Sequence, residues 1–453
     1  MSTVVATNAF KIALRGADGR VCTLMNEDNA MIQSDAWPVA ARLLVRWLDE
    51  EVRADALLDT VQLSGGARAR CQHLFYGSIR NYGRIEAVVA TLVRLRPRTR
   101  VMAVLLLAGY ELIEGGGEGL AAKVGHHAVA QTKKLASESE ARLVNAVVRK
   151  LAEALAAQEV PGKLATAAQL GNYFSHPDWL VERWLAQFGA EGTRSLLEWN
   201  QQPAPVHARW RGPGEPTAEE KVWLEATSWP DHFVVKGGHW PEVGRALSAG
   251  RVYLQDPGTR LAVELLDPKA DERIIDACAA PGGKSLAMAD RMGTGQLVAL
   301  DVPGARQDRL AENLSRVPSG VSAKRIEGDL RRASSLMGMV PGTFDAVLVD
   351  APCTNTGVMR HRVDVKWRLQ PADFGKHAKQ QVELLEGAAR WLKPGGRLVY
   401  STCSIDADEN AGVVAAFLRT APGADYKLVR EVVALPWVAG HDGAGVAVLV
   451  KKA

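Results

Sequence analysis

The chain has 453 residues, 47% of them hydrophobic and 23% charged, with a formal net charge of +4. This is the balance of an ordinary folded protein of about two to four domains, and it excludes a disordered, collagenous or disulfide-stapled chain. There is no apolar run near the roughly 18 residues of a membrane span and no charged start leading into an apolar signal core. The five cysteines contain no C-x-x-C pair, so a disulfide framework and a structural zinc site are both disfavoured; a cytoplasmic, metal-free protein is expected.

Residues 1–35 show no clear period and are predicted to be an extension of unknown role. From Ala36 to about residue 160 the pattern is helical. AWPVAARLLVRWLDEE places Val39, Leu43, Leu44 and Leu48 on one face, VMAVLLLAGYELI reads as a buried helix, and ARLVNAVVRKLAEAL repeats the three-and-four spacing. The run GGGEG at 115–119 marks a loop. Residues 161–250 mix a helical HPDWLVERWLAQFG, a Pro-rich QQPAPVHARWRGPGEP and short extended pieces such as HFVV, so a small α+β linker domain is predicted there. After Arg251 the rhythm changes. RIIDA, QLVALD, AKRIEGD, FDAVLVD and GRLVYSTCS are strand candidates, and helical stretches separate them. This alternation predicts a mostly parallel sheet with helices on both faces, a Rossmann-like domain over 251–453. Ligands of such sheets sit beyond the carboxyl ends of the strands, which here carry Asp276, Asp301, Asp329, Asp350 and Cys403.

The first of these strands runs into Cys278-Ala279-Ala280-Pro281-Gly282-Gly283-Lys284 and then a helix. The Pro-Gly-Gly turn lets backbone N–H groups approach a ligand closely. A nucleotide phosphatase is one reading, because Gly283-Lys284-Ser285 is the tail of a Walker A loop. That loop requires Gly five positions before Gly283, and Cys278 stands there. The G-x-G-x-x-G pattern of a dinucleotide site is also missing. What remains is a Gly turn followed by an acidic strand end at Asp301, suited to accept both hydroxyls of a ribose without a phosphate nest. Adenosine carried on a sulfonium is S-adenosylmethionine, the preferred cofactor; Asp329 is placed to accept from the adenine amino group.

Asp350-Ala351-Pro352-Cys353 follows the fourth strand and Ser401-Thr402-Cys403-Ser404 the fifth. A lone Cys is more often a small buried hydrophobe, but two at adjoining strand ends beside a cofactor loop suggest chemistry. The Asn/Asp-Pro-Pro-aromatic loop of amino-group methyltransferases is not present. Methylation at carbon 5 of a pyrimidine needs a thiolate on carbon 6 to make the ring nucleophilic. It then needs help with release, and a carboxyl group to steady charge on the ring. Cys403, Cys353 and Asp350 can fill those roles.

DACAAPGGKS (276–285), DAPCTNTGVMR (350–360), DVKW (364–367) and YSTCSIDADEN (400–410) resemble the RNA (cytosine-5) methyltransferases of the Sun/Fmu (RsmB-like) family, in that family's order and rough spacing. Upstream, SHPDWLVERWLAQFG and NQQPAPVHARW resemble its linker segment, and ARCQHLFYGSIRNYGRI and LVNAVVRKL its NusB-like helical domain. The resemblance implies an RNA-binding helical domain over 36–160, a linker over 161–250 and a catalytic domain over 251–453. It implies Cys403 as nucleophile, Cys353 assisting release, and S-adenosylmethionine held by residues 278–284 with Asp301, Asp329 and Asp350. Cys278 is read as a small loop-lining residue. The implied substrate is a cytidine of 16S ribosomal RNA, with a monomeric enzyme expected. A transfer RNA substrate and a silent ribosome assembly factor are the alternatives, and the intact cysteines and Asp350 count against silence.

Four basic residues, Arg360, Arg362, Lys366 and Arg368, are expected to grip phosphate, and Trp367 either stacks on a base or packs in the protein. A second cluster, Arg94, Arg96, Arg98 and Arg100, is equally well a solvated face. The chain departs from the family pattern at Thr354-Asn355, at Val363, and at Ala444-Gly445, where two Phe are usual.

Overall fold

The computed structural model describes residues 27–115, 119–332 and 339–453. Residues 1–26, most of the expected extension, and 116–118 of the Gly-rich loop lie outside them. The described chain forms two compact units. One comprises the residues up to Pro205 together with Met359–Arg368, the other Val206–Val358 with Leu369–Ala453. No helix among the described residues is long and apolar enough to cross a membrane.

The first unit is helical: α1 (Glu27–Asp49), α2 (Ala54–Asp59), α3 (Gly65–Arg80), α4 (Tyr82–Leu92), α5 (Thr99–Glu114), α6 (Leu120–Leu135), α7 (Glu138–Ala156), α8 (Ala167–Phe174) and α9 (Asp178–Gln201). Helix α1 therefore runs through the boundary expected at residue 35. Helix α5 is buried on every side from Val101 to Ala108, as an all-round apolar helix must be. Helix α7 buries the stripe Ala141, Val144, Val147, Val148, Leu151 and Leu155, and Ser137 caps its first turn through Glu140 N–H. Helices α3 and α5 approach so closely at Gly77 that a Cβ there would lie 2.0 Å from the Tyr110 ring.

The segment Met359–Arg368 packs into this unit rather than standing free. Val363 joins the helical core, Asp364 accepts from Ala54 N–H at 3.0 Å, and Trp367 Nε1 donates to the Ile79 carbonyl at 3.0 Å. Trp367 also meets Tyr82 edge-on at 5.0 Å, so of its two readings the structure gives the packed one.

The second unit holds two sheets. Strands β1 (His207–Trp210), β2 (Leu224–Ala226), β3 (His232–Val235) and β4 (Val252–Leu254) form an antiparallel sheet in the order β2-β3-β1-β4, flanked by α10 (Trp240–Ser248). The segment 161–250 is thus no body of its own. Its helices α8 and α9 join the helical unit, while its strands and α10 join the sheet-bearing one, where Arg209 and Arg211, at β1, both bond Asp290, at 2.8 and 2.7 Å.

The larger sheet contains β5 (Arg273–Ala277), β6 (Gly295–Asp301), β7 (Val321–Glu327), β8 (Phe344–Asp350), β9 (Leu392–Thr402), β10 (Tyr426–Ala434) and β11 (Ala444–Lys451), in the order β10-β11-β9-β8-β5-β6-β7. The five expected strands are its parallel part. The antiparallel hairpin β10–β11, which extends β9, was not expected from the sequence. Side chains alternate across the pleat. Ile275, Val347, Val349, Leu398 and Tyr400 face helices Pro371–Ala389 and Ala411–Leu418. Ile274, Ala346, Leu348 and Val399 face α11 (Arg260–Leu266) and α12 (Gly283–Met292). Helix α13 (Gln307–Leu314) follows β6. Both faces are covered, which is why these strands read as nearly continuous apolar runs.

Asp276 lies within this core, fully buried, and accepts from Ser285 Oγ, tying β5 to α12. Burial pushes its carboxyl up to about 7. Since an unfolded Asp titrates near 3.9, the fold favours the protonated form. That contribution is complete below the unfolded value and is lost as pH rises towards 7, a span on the order of 4 kcal/mol. The melting temperature of Asp276→Asn relative to wild type is therefore expected to climb by several degrees between pH 4.5 and pH 8 and to level off above. A difference that does not change with pH would show that this carboxyl is ionised throughout.

Candidate active site

The loop after β5 bends sharply. Cys278 has φ +61° and Gly282 φ +102°, a region open to Gly and strained for other residues. A Cβ on Gly282 would come within 3.0 Å of Leu310 and 3.2 Å of Asn313. Asn313 Nδ2 donates to the Pro281 carbonyl at 2.7 Å, so α13 braces the turn. Burial pushes the Cys278 thiol far up, which makes it a loop-lining residue and a poor nucleophile.

Acidic groups follow at the neighbouring strand ends. Asp301 accepts from Ala280 N–H at 2.8 Å and from Val302 N–H at 2.7 Å, which fixes its orientation beside the turn. Asp350 accepts from Lys284 Nζ at 2.6 Å and from Ser401 Oγ at 3.2 Å. Burial works against the Lys284 charge, yet the Asp350 carboxylate outweighs it and raises the ammonium's affinity for its proton. Asp329 is turned to Arg331, whose Nη2 lies 2.7 Å away; that hydrogen bond holds its carboxyl below the usual range.

The residues present suit S-adenosylmethionine better than a nucleoside triphosphate. Asp301 and Asp350 lie at the ends of two strands that flank β5, and the Walker-like Lys284 is neutralised by Asp350, which leaves Asp301 uncompensated by a cation among the described residues. A site in which carboxylates outnumber cations favours a cationic sulfonium and repels phosphate.

The two cysteines meet beside this pair. Cys353 Sγ lies 3.2 Å from Cys403 Sγ, and Cys403 Sγ lies 3.3 Å from Asn355 Oδ1. Cys353 is buried, at 6% exposure, while Cys403 is half-buried. The hydrogen bond with Cys403, reinforced by burial, pushes the Cys353 thiol well up. Cys353 thus keeps its proton and can donate it as a hydrogen bond to a Cys403 thiolate.

The four basic residues expected to grip phosphate do not share one environment. Lys366 is buried and donates from Nζ to the Arg80 carbonyl at 3.0 Å. Burial, with Arg80 nearby, lowers its proton affinity well below the ordinary value. It is corrected to a packing residue, because an ammonium held inside the helical unit presents nothing to RNA. The Arg360 guanidinium stacks 4.0 Å from the Trp199 ring centre and donates to the Pro203 carbonyl at 2.7 Å. Arg362 and Arg368 are exposed, Arg368 within 3.6 Å of Asp364.

Several residues that position the cysteines escaped the sequence reading. Gly357 N–H donates to the Cys403 carbonyl at 2.9 Å, and a Cβ there would meet that carbonyl at 2.7 Å. Asn410 Nδ2 donates to the carbonyls of Ser404 and Asp406, at 3.0 and 2.9 Å. Glu409 and Gln381 bracket the Cys353 loop. Asn410 and Glu409 lie in a motif already quoted, YSTCSIDADEN, but nothing in their spacing indicates contacts made across the fold.

Comparison with known proteins agrees with this architecture. Residues 263–435 match the family model described as 16S rRNA methyltransferase RsmB/F, and residues 35–153 match the NusB family. The chain is 32% identical over 412 residues to ribosomal RNA small subunit methyltransferase B of Klebsiella pneumoniae, covering 86% of this chain and 92% of that one. The Vibrio cholerae protein of the same name is 33% identical over 407 residues, covering 85% and 89%. Among solved structures, PH0851 aligns with a TM-score of 0.73 at 24% identity, over 92% of this chain and 99% of that one. A methyltransferase homolog protein from Pyrococcus horikoshii aligns with a TM-score of 0.53 at 25% identity, over 65% and 100%. With both family models matched and relatives aligned over most of its length, the chain belongs to the RsmB/F family of 16S ribosomal RNA methyltransferases.

Proposed function

We propose that this enzyme methylates carbon 5 of a cytidine in 16S ribosomal RNA through a covalent cysteine adduct, with Cys403 as nucleophile. The observation that carries the reading is the pair of sulfurs 3.2 Å apart beside the Lys284–Asp350 ion pair. The names of the similar proteins support the RNA class. Residues 278–284 with Asp301 and Asp350 would hold S-adenosylmethionine, with Asp329 serving the adenine once released from Arg331. When bound, that cofactor supplies the methyl group as an electrophile.

The protein's own residues do the rest. Cys403 Sγ bonds to carbon 6, and the electron pair of the carbon 5–carbon 6 double bond is driven towards carbon 5 and the ring carbonyl. The Lys284–Asp350 pair, oriented by Ser401, steadies the negative charge that develops on the ring through its ammonium, while Asp350 holds that ammonium in place. After methylation the proton on carbon 5 leaves to solvent, and its electron pair re-forms the carbon 5–carbon 6 double bond as the carbon–sulfur bond breaks and that bond's electrons leave on sulfur. Cys353 S–H donates a hydrogen bond to the departing Cys403 thiolate. The more accessible thiol is the attacking one, and the buried, proton-retaining thiol serves release. The cytidine must be unstacked for a thiol to reach carbon 6.

Labelled S-adenosylmethionine is expected to mark one cytidine of unmethylated 16S RNA as 5-methylcytosine. Label on transfer RNA alone would overturn the substrate, and RNA binding with no label would favour a silent assembly factor. Cys403→Ala should lower methyl transfer at least about 1,000-fold with cofactor affinity within twofold of wild type. Cys353→Ala should accumulate a denaturation-resistant protein–RNA adduct. An adduct that requires Cys353 and survives loss of Cys403 would reverse the two roles.

Exposed Arg362 remains a candidate phosphate contact. Arg362→Ala is expected to weaken RNA binding and reduce its salt dependence by about one unit of slope. Lys366→Met should leave that slope unchanged. The opposite pattern, measured by titration at several salt concentrations, would return the phosphate role to Lys366.

A further inference from the structure

The Cys353 loop is held from both sides by two residues that do not touch the reacting atoms. Glu409 is fully buried. Its Oε1 accepts from Thr354 N–H and from Gln381 Nε2, each at 3.0 Å, and its Oε2 accepts from the Thr354 hydroxyl. Gln381 Nε2 also donates to the Pro352 carbonyl at 2.9 Å. The peptide groups on either side of Cys353 are therefore both fixed, one by each residue. The Glu409 carbonyl accepts from Tyr400 O–H at 2.6 Å, which ties the same brace to the strand that leads into Cys403.

Every group facing the Glu409 side chain is a donor, and a carboxylate, which only accepts, satisfies them all. An amide in its place would turn its own N–H groups towards one of these donors and loosen the brace. After the Cys403 hydrogen bond and burial, the nearby Glu409 also opposes loss of the Cys353 proton.

We propose that Glu409, with Gln381, is a positioning residue for product release, fixing Cys353 so that its S–H is presented to the Cys403 sulfur as the adduct breaks. This rests on the reading that Cys353 serves release. A displacement of about 1 Å in such a pair can cost on the order of 100-fold in rate.

The test uses the full-length enzyme, 16S RNA and labelled S-adenosylmethionine. Glu409→Gln is expected to slow turnover about tenfold, to raise the steady-state fraction of denaturation-resistant adduct several-fold, and to leave cofactor affinity within twofold. Introduced into Cys353→Ala, it should change neither turnover nor adduct further. Turnover that falls with no rise in adduct, or an equal further loss on the Cys353→Ala background, would overturn the proposal by making Glu409 a general structural support. If Glu409→Gln does not fold, Gln381→Leu removes the Pro352 contact and is read by the same criteria. Should Cys353→Ala itself trap no adduct, the release role of Cys353 fails first, by a signature independent of Glu409.

Discussion

The register between β8 and β9 is the constraint on which the site depends. Asp350 pairs with Ser401 in a parallel ladder, so Cys353 and Cys403, 50 residues apart, emerge from neighbouring strand ends with their sulfurs in contact. A slip of one residue would turn every side chain on one strand to the opposite face. It would expel Val347 and Val349 from one core and Leu348 from the other. Burial on both faces therefore fixes the spacing of the two thiols, and the chemistry inherits its precision from the packing.

Electrostatics divides the labour around that pair. Lys284 spends its charge on Asp350 and so orients the carboxylate instead of attracting phosphate. Asp276 carries no such partner, stays within the sheet and favours its proton up to about 7. The thiols differ by the same logic. Cys353 sits deeper, in a loop held by the buried Glu409, and keeps its proton; Cys403, at the end of the next strand, lies nearer solvent. Two chemically identical side chains acquire different surroundings from the fold, and it is on that difference that the proposed roles rest.

The strands and the cofactor turn were legible because they are local. RIIDA, FDAVLVD and the Pro-Gly-Gly turn state their conformation in adjacent residues. The hairpin β10–β11 was less legible, since GVAVLV joins the sheet only by pairing with β9 and EVVA only by pairing with GVAVLV. The two compact units divide the chain elsewhere than at 161 and 250 for a related reason. Which body a segment joins is set by distant partners, such as Asp290 for Arg211. The basic cluster misled in part because charge in a sequence is normally solvated, whereas Val363 and Trp367 carry Lys366 into the helical core with them.

The departure at Ala444-Gly445 follows from the same long-range packing. A Cβ on Gly445 would lie 1.8 Å from Asn410 Oδ1, and Asn410 is the residue whose amide holds the Ser404 and Asp406 carbonyls just beyond Cys403. Thr402 Oγ1 donates to the same Asn410 oxygen at 2.9 Å. In this chain the Asn410 side chain occupies the space a larger residue at 445 would need. Gly357 makes a second such approach, its N–H on the Cys403 carbonyl and its own carbonyl accepting from Gly443 N–H at 2.8 Å. The Cys403 turn is thus clamped between two glycine-lined contacts. Neither glycine bears a functional group, so neither stands out in a search for chemistry. Their contribution is the missing Cβ, which lets the backbone that carries Cys403 be gripped from both sides.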